Sequence, residues 1–326
     1  MATSGSTNYS RNALQIITGA LRKLRILAAS SSANGPDLTT GLEALNLMIK
    51  AWQIDEVFMW LYQEAVLHLA SAGQSYTLGP TGSHFCAASD AVKTTLSANA
   101  AASATALTVT SNTGIVNGDY VGVELDDGTL YWSTQSGAPA GATDLTLTAG
   151  ITSAASSGNY VFSYTTKLAR PVDITEARLR DTDDNDAPIK IIRSNDQYFQ
   201  RNTSKTSTGN VDEILLVPHI TNATLYTWPV CDDVTKRVFM TIQRVIEDFD
   251  TSSDDPDLPV EVIEGLIYNL AVRLSPEYRQ ETPKDVLSMA AYTYDQIKGH
   301  FKSREPQQLQ PPSYMRILPT RRRTYR

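Results

Sequence analysis

The sequence predicts an α+β fold: a helical bundle core of two helical pairs, with a β region, an inserted small β barrel or sandwich, and an extended C-terminal arm. Three observations lead there. Apolar residues recur at three- and four-residue steps near both ends of the chain, which puts them on one face of a helix. Between about residues 57 and 250 the period drops to two, as in strands. Within that stretch, residues 94–166 turn rich in Ala, Thr, Ser and Gly and poor in Lys and Arg, the mark of a separate module.

The first helix carries Leu14, Ile17, Leu21 and Leu24 on one stripe. Asn34-Gly35 and Pro36 interrupt it, and a second stripe follows at Leu38, Leu42, Leu45, Ile49 and Trp52. So short a break predicts antiparallel packing, giving an N-terminal helical pair over 1–56. Val57, Met59 and Leu61 then alternate with Phe58, Trp60 and Tyr62, and EAVLHLASAGQSYTLGPTG predicts a β hairpin over 57–93, turning near Ala72-Gly73.

The inserted β domain, 94–166, holds two pseudo-repeats. ATALTVTSNTGIVNGDYVGV returns as ATDLTLTAGITSAASSGNYVF, offset by 38 residues at the first strand and 40 at the Gly-x-Tyr-Val. Each copy offers a Thr-rich strand, a polar turn, and a second strand opened by Gly118-Asp119 or Gly158-Asn159. Its removal is expected to leave the rest folded.

Longer, more apolar strands over 167–256, among them PVDITEARLRD, EILLVP and RVFMTIQRV, predict a β region packed on the helices. A C-terminal helical pair over 257–302 follows. Ile263, Ile267, Leu270 and Leu274 form its first stripe, with Asp257 and Pro259 at the start. Val286, Ala290, Ile297 and Phe301 form the second, opened by Thr282, Pro283 and Asp285 as in a capping box. Residues 303–326 have four prolines and no helical period, so they predict an extended basic arm.

A 41% hydrophobic, 19% charged composition is that of a globular protein. Apolar runs are too short to span a bilayer. The polar N-terminus is followed by a segment with Arg22, Lys23 and Arg25 in its middle, so the apolar core of a signal peptide is missing. Cys86 and Cys231 make no disulfide framework, which predicts a reducing compartment. A net charge of −7 argues against wrapping nucleic acid over a broad surface.

Motifs of catalysis are missing: no Gly-x-Ser-x-Gly, His-Glu-x-x-His or phosphate loop. His68, His84, His219 and His300 are far apart, and His84 with Cys86 supplies two ligands on one strand face where zinc needs four. DTDDND at 181–186 lacks the glycine of a calcium loop and has Ile192 where a bidentate Glu belongs, so it reads as a solvated turn. DTSSDDPD at 250–257 reads as a polar linker into a helix cap. The expectation is a non-enzyme with no cofactor and no metal.

ALRKLRILAAS, GLEALNLMIKAW, AGQSYTLGPTG, RPVDITEARLRD, LYTWPV and DLPVEVIEGLIYNLAVRLSPEY occur in this order. The series resembles the packaged-DNA stabilisation proteins, or tail accessory factors, of short-tailed bacteriophages. It covers roughly 11–90 and 168–300, with the repeat-bearing domain as an insertion. The resemblance implies a head-to-tail connector: a homo-oligomeric ring, expected to be a dodecamer, that continues the portal's channel. Such a ring helps retain packaged DNA, lets it pass the lumen without specific binding, and offers a platform to the next tail component, a nozzle, knob or fibre. It implies a virion location, host cytoplasm during assembly, and no membrane partner. In short members of the family the two helical pairs lie close in sequence; here β structure separates them.

The tip RILPTRRRTYR holds five arginines and no acidic side chain. Four readings compete: a solvated chain end, DNA binding, membrane binding, and a strap onto an acidic groove; we take the strap, and the resemblance identifies the groove as the portal's. Tyr314, Met315, Ile317 and Leu318 would fill apolar pockets, and Arg316, Arg321, Arg322, Arg323 and Arg326 would pair with carboxylates. Prolines keep such an arm extended and lower the entropy cost of binding. The alternatives are a tail-tube or neck component below the adaptor, and a tail-associated cell-wall hydrolase.

Overall fold

The computed structural model describes residues 9–54 and 61–302. It is mainly β, with 17 strands and five helices among the described residues, 30% strand against 25% helix. This corrects the expected α+β fold, since no helical bundle core organises the chain. An amphipathic stripe requires only that one helix face be covered; it does not make the helices the centre of the fold. The chain divides into two units, one of residues 60–246 and one that pairs the two ends, 1–59 with 247–326.

The β unit contains two stacked sheets. One is antiparallel and runs β11 (Asp186–Pro188), β10 (Pro171–Arg180), β17 (Arg237–Arg244), β1 (Leu61–His68), β3 (Phe85–Ala87). The other runs β12 (Lys190–Ile192), β14 (Glu213–Pro218), β15 (Ala223–Trp228), β2 (Ser75–Leu78). A short helix, α3 (Asn195–Arg201), and the two-residue ladder of β13 (Thr208–Gly209) with β16 (Val230–Cys231) lie between them in sequence. Ala65, Leu67, Val238, Met240 and Ile242 of the first sheet share one core with Leu78, Ile214 and Leu225 of the second. The intervening Val66 and Phe239 point to the opposite face and have their own cover. RVFMTIQR is buried on both faces for that reason.

The hairpin expected over 57–93 does not form. A turn does follow β1, with Gly73 N–H donating to Ala70 O and Ala72 at φ 58°. It carries the chain from one sheet to the other, however: β1 pairs with β17 and β3, while β2 pairs with β15. Alternation fixes which side chains share a face, not which strand is the neighbour.

The inserted module is a closed six-stranded barrel. Its strands are β4 (Val92–Thr95), β5 (Ala106–Thr108), β6 (Tyr120–Glu124), β7 (Leu130–Thr134), β8 (Asp144–Thr146) and β9 (Tyr160–Tyr164). Four of them form the sheet β4-β9-β6-β7, and β5 pairs with β8. Bridges Leu96↔Val109 and Gln135↔Leu147 join the two sheets at both margins. Leu107, Val109, Val121, Val123, Leu145, Leu147 and Val161 fill the interior.

The repeat is a pseudo-dyad. Leu107 pairs with Leu145, its own equivalent, and Gly122 with Phe162, again its equivalent. The Thr95–Thr110 hydroxyl contact of 2.9 Å has its counterpart in Thr134–Thr148 at 2.8 Å. Each copy therefore contains three strands, and the first strand of each pairs with the last strand of the other.

In the other unit, α1 (Ala13–Lys23), α2 (Gly35–Ile54), α4 (Ile263–Leu274) and α5 (Lys284–Lys302) pack so that α4 touches each of the rest. The buried stripe of α1 is Ala13, Ile16, Ile17, Ala20 and Leu21, with Leu14 only half-buried. On α2 it is Leu45, Met48, Ile49 and Trp52, with Leu38 and Leu42 half-buried. A 3-10 turn, Val260–Val262, leads into α4, and the Asp257 carboxylate accepts from Glu247 N–H.

Candidate functional site

The nine arm residues, Tyr314, Met315, Arg316, Ile317, Leu318, Arg321, Arg322, Arg323 and Arg326, lie outside the described residues. Among the described ones, polar chemistry gathers at two places: a buried junction in the β unit and an open groove in the helical unit.

The junction lies where the barrel meets the outer face of the first sheet. His68 follows Val66 on that face, is 3% exposed, and has Trp132, Phe162 and Tyr164 around it at 5.1–6.0 Å. Neither of its ring nitrogens has a hydrogen-bond partner. Burial, then the nearby Arg237 and His84, lowers its pKa to about 3. His84 stacks on Trp132 at 3.8 Å, and its Nδ1 shares a hydrogen bond of 2.6 Å with the Tyr164 hydroxyl. Burial, then Lys167, lowers its pKa to about 3 as well. The Cys86 thiol is pushed up to about 12, mainly by burial. A protonated thiol is a poor nucleophile and a poor ligand. His84 and Cys86 are packing groups here. Among the described residues no three His, Cys, Asp or Glu are placed to hold a metal ion.

DTDDND is more than a solvated turn. Asp184 lies 3.3 Å from Lys93 Nζ on the barrel and 3.6 Å from Arg237 on β17. Lys93 also donates to Thr182 O at 2.8 Å. Asp186 receives Arg180 through both oxygens at 2.7 and 2.8 Å, which holds its carboxyl below the ordinary range. Arg237, 5% exposed, lies between the rings of Phe162 and Phe239, 5.3 Å from each. This turn clamps the barrel onto the sheet. Lys93 precedes the 94–166 boundary by one residue, and nothing in its local sequence marks it as a clamp.

The groove runs between α1 and α4 and encloses about 680 Å³. Asn12 caps α1 by accepting Gln15 N–H, while Ala13 and Leu14 donate to Asp254 O and Ser252 O. These bonds fix the loop 250–257 against the start of α1 and satisfy helix donors that would otherwise lack partners. From there the two segments run side by side, with Gly19 admitting Ile267: a Cβ at 19 would lie 3.3 Å from the Ile267 side chain. At the far end Lys23 donates to the Tyr268 hydroxyl at 2.9 Å with its ammonium 4.6 Å from the ring centre. Arg22 donates twice to Ser31 O, at 3.1 and 2.7 Å.

Charge is segregated along this groove. Residues 1–36 carry Arg11, Arg22, Lys23 and Arg25 and no acid; residues 247–264 carry eight acids and no cation. Among the described residues, Arg11, Arg22, Lys23 and Arg25 make no ion pair with the second set. The first acidic residue of the chain is Asp37, so the segregation is visible in the sequence itself.

No family model matches the chain, and no curated protein matches it.

Proposed function

We propose that this protein is a structural virion component, a head-to-tail connector of a short-tailed bacteriophage. Copies form a ring beneath the portal, retain packaged DNA and carry the tail; no catalysis is required of the chain. The observation that carries this reading is the uncovered apolar surface of the helical unit. Tyr9, Leu47, Val260, Leu287 and Tyr292 are 42–59% exposed in this unit, three of them on helices whose inner faces are already packed and two in the segments that lead into α1 and α4. Single exposed apolar residues are ordinary, but five on one small unit favour cover by another chain. The ordered motif series supports the same reading, and the basic arm is its proposed attachment to the portal.

Native mass spectrometry of the chain alone, then mixed with the portal ring of its phage, tests it. One copy per portal subunit in a single complex is expected. A stable ring that ignores the portal would move the protein to the tail tube or neck. A chain that stays monomeric in both conditions would end the connector reading.

A further inference from the structure

We propose that the α1–α4 groove is the seat for a second copy of this chain, entered by that copy's acidic loop 250–257. The proposal rests on the connector reading and gives its ring a specific contact. Charge complementarity carries it. Arg22, Lys23 and Arg25 are exposed at the C-terminal end of α1, and none has an ionic partner among the described residues. Asp250 and Asp255 are exposed in the loop tied to the N-terminal end of the same helix, equally without one. Among the described residues one copy therefore presents these charges at opposite ends of α1, with Arg11 beside the acidic end, and cannot bring the two sets together.

Two copies can. The acidic end of one against the basic end of the next is a heterologous contact, because each copy uses a different surface toward each neighbour. Contacts of this type propagate, and close into a ring when the rotation between copies allows. An isologous contact would instead place like charges together if it used either end alone.

The cations are also held in place. Lys23 is fixed by the Tyr268 ring and hydroxyl, and Arg22 by Ser31 O, which leaves Arg22 Nη1 free to receive a carboxylate. Side chains already ordered lose less entropy on binding. The loop is stiffened likewise: the Asp254 carboxylate accepts from Asp250 N–H, Thr251 N–H and the Thr251 hydroxyl, so Asp250 and Asp255 project from a fixed turn. The groove is lined by Arg11, Arg22 and Lys23 against Glu261 and Glu264, so cations outnumber acids where an incoming carboxylate would sit.

The test uses two charge reversals of the full chain, R22E/K23E and D250K/D255K, with circular dichroism to verify that each is folded. Native mass spectrometry and light scattering read assembly. Each reversal alone should raise the concentration needed for assembly at least about tenfold, because like charges then face each other. An equimolar mixture of the two should assemble as the wild type does, with the variants alternating. Wild-type assembly should also weaken with added salt. Reversals that assemble normally, or a mixture that fails to recover while both variants are folded, would overturn the contact and leave the ring reading standing. A wild-type chain that never self-associates would overturn both.

Discussion

His68 makes the β unit sensitive to mild acid, and the size of the effect follows from its surroundings. Its pKa is about 3 in the folded protein against 6.5 for an ordinary histidine. The unfolded chain binds the proton more readily, so stability falls as pH drops below 6.5 and continues to fall until about 3. One pKa unit corresponds to about 1.4 kcal/mol, and the loss from His68 alone between pH 7 and pH 5 is about 2 kcal/mol. That window lies above the range in which ordinary carboxylates titrate, so Asp181 and Asp186, whose pKa values are lowered, contribute little there. Against the few kcal/mol that keep a domain folded, 2 is large.

Denaturant unfolding at pH 7, 6 and 5, followed by tryptophan fluorescence and by circular dichroism, measures it. His68→Leu removes the titrating group and keeps an apolar side chain among Trp132, Phe162 and Tyr164. His84 titrates in both proteins and cancels from the comparison. The wild type should lose about 2 kcal/mol more than the variant over this range. Equal losses in the two proteins would mean that the ring is protonated or solvated in the folded state, and the reasoning would fail.

Three further outcomes are expected. Gly122→Ala places a Cβ 2.7 Å from the Trp132 ring, which His84 holds by stacking, so the barrel should lose about 1–3 kcal/mol in denaturant unfolding. Glu213, whose side chain is 6% exposed, meets Arg201 at 2.6 Å and Lys190 at 3.6 Å; Glu213→Gln should cost about 1–2 kcal/mol, since both partners are half-exposed, and the thermal midpoint reports it. Deleting residues 94–166 uncovers Val66, His68, Cys86 and Phe239, so the shortened chain should aggregate in light scattering, the reverse of what the sequence suggested.

Most helices were legible because a three-to-four-residue period is a local property. Ile17 and Leu21 on α1 with Leu24 at its C-cap, and Ile263, Leu270 and Leu274 on α4, are buried as their spacing predicts. The rank of those helices in the whole was not legible. A stripe records that something covers a face, and the strands between proved to be the larger structure. Sheet partners failed for a related reason: the turn after His68 looks local, yet β1 and β2 enter different sheets because register is chosen by contacts far away in sequence. The groove was half legible. Its charges stand in the sequence, but that they lie at two ends of one helix depends on the Ala13–Asp254 backbone bond, which no spacing announces.

The barrel shows where a repeat stops being informative. Its strands around Leu107/Leu145 and Val121/Val161 kept their likeness because β5 pairs with β8, and β6 with β9, across the pseudo-dyad, and their inward side chains fill one interior. β4 and β7 also correspond, since Thr95 and Thr134 make the same hydroxyl contact, yet Lys93 stands where the other copy has Trp132. Both positions face the sheet side of the barrel: Trp132 stacks on His84, and Lys93 binds Asp184. Gly122, equivalent to Phe162, is small because Trp132 lies against it. The interior preserved its symmetry because the dyad imposes the same constraint twice. The face on the sheet lost it because the sheet has no dyad, and each half had to meet a different neighbour.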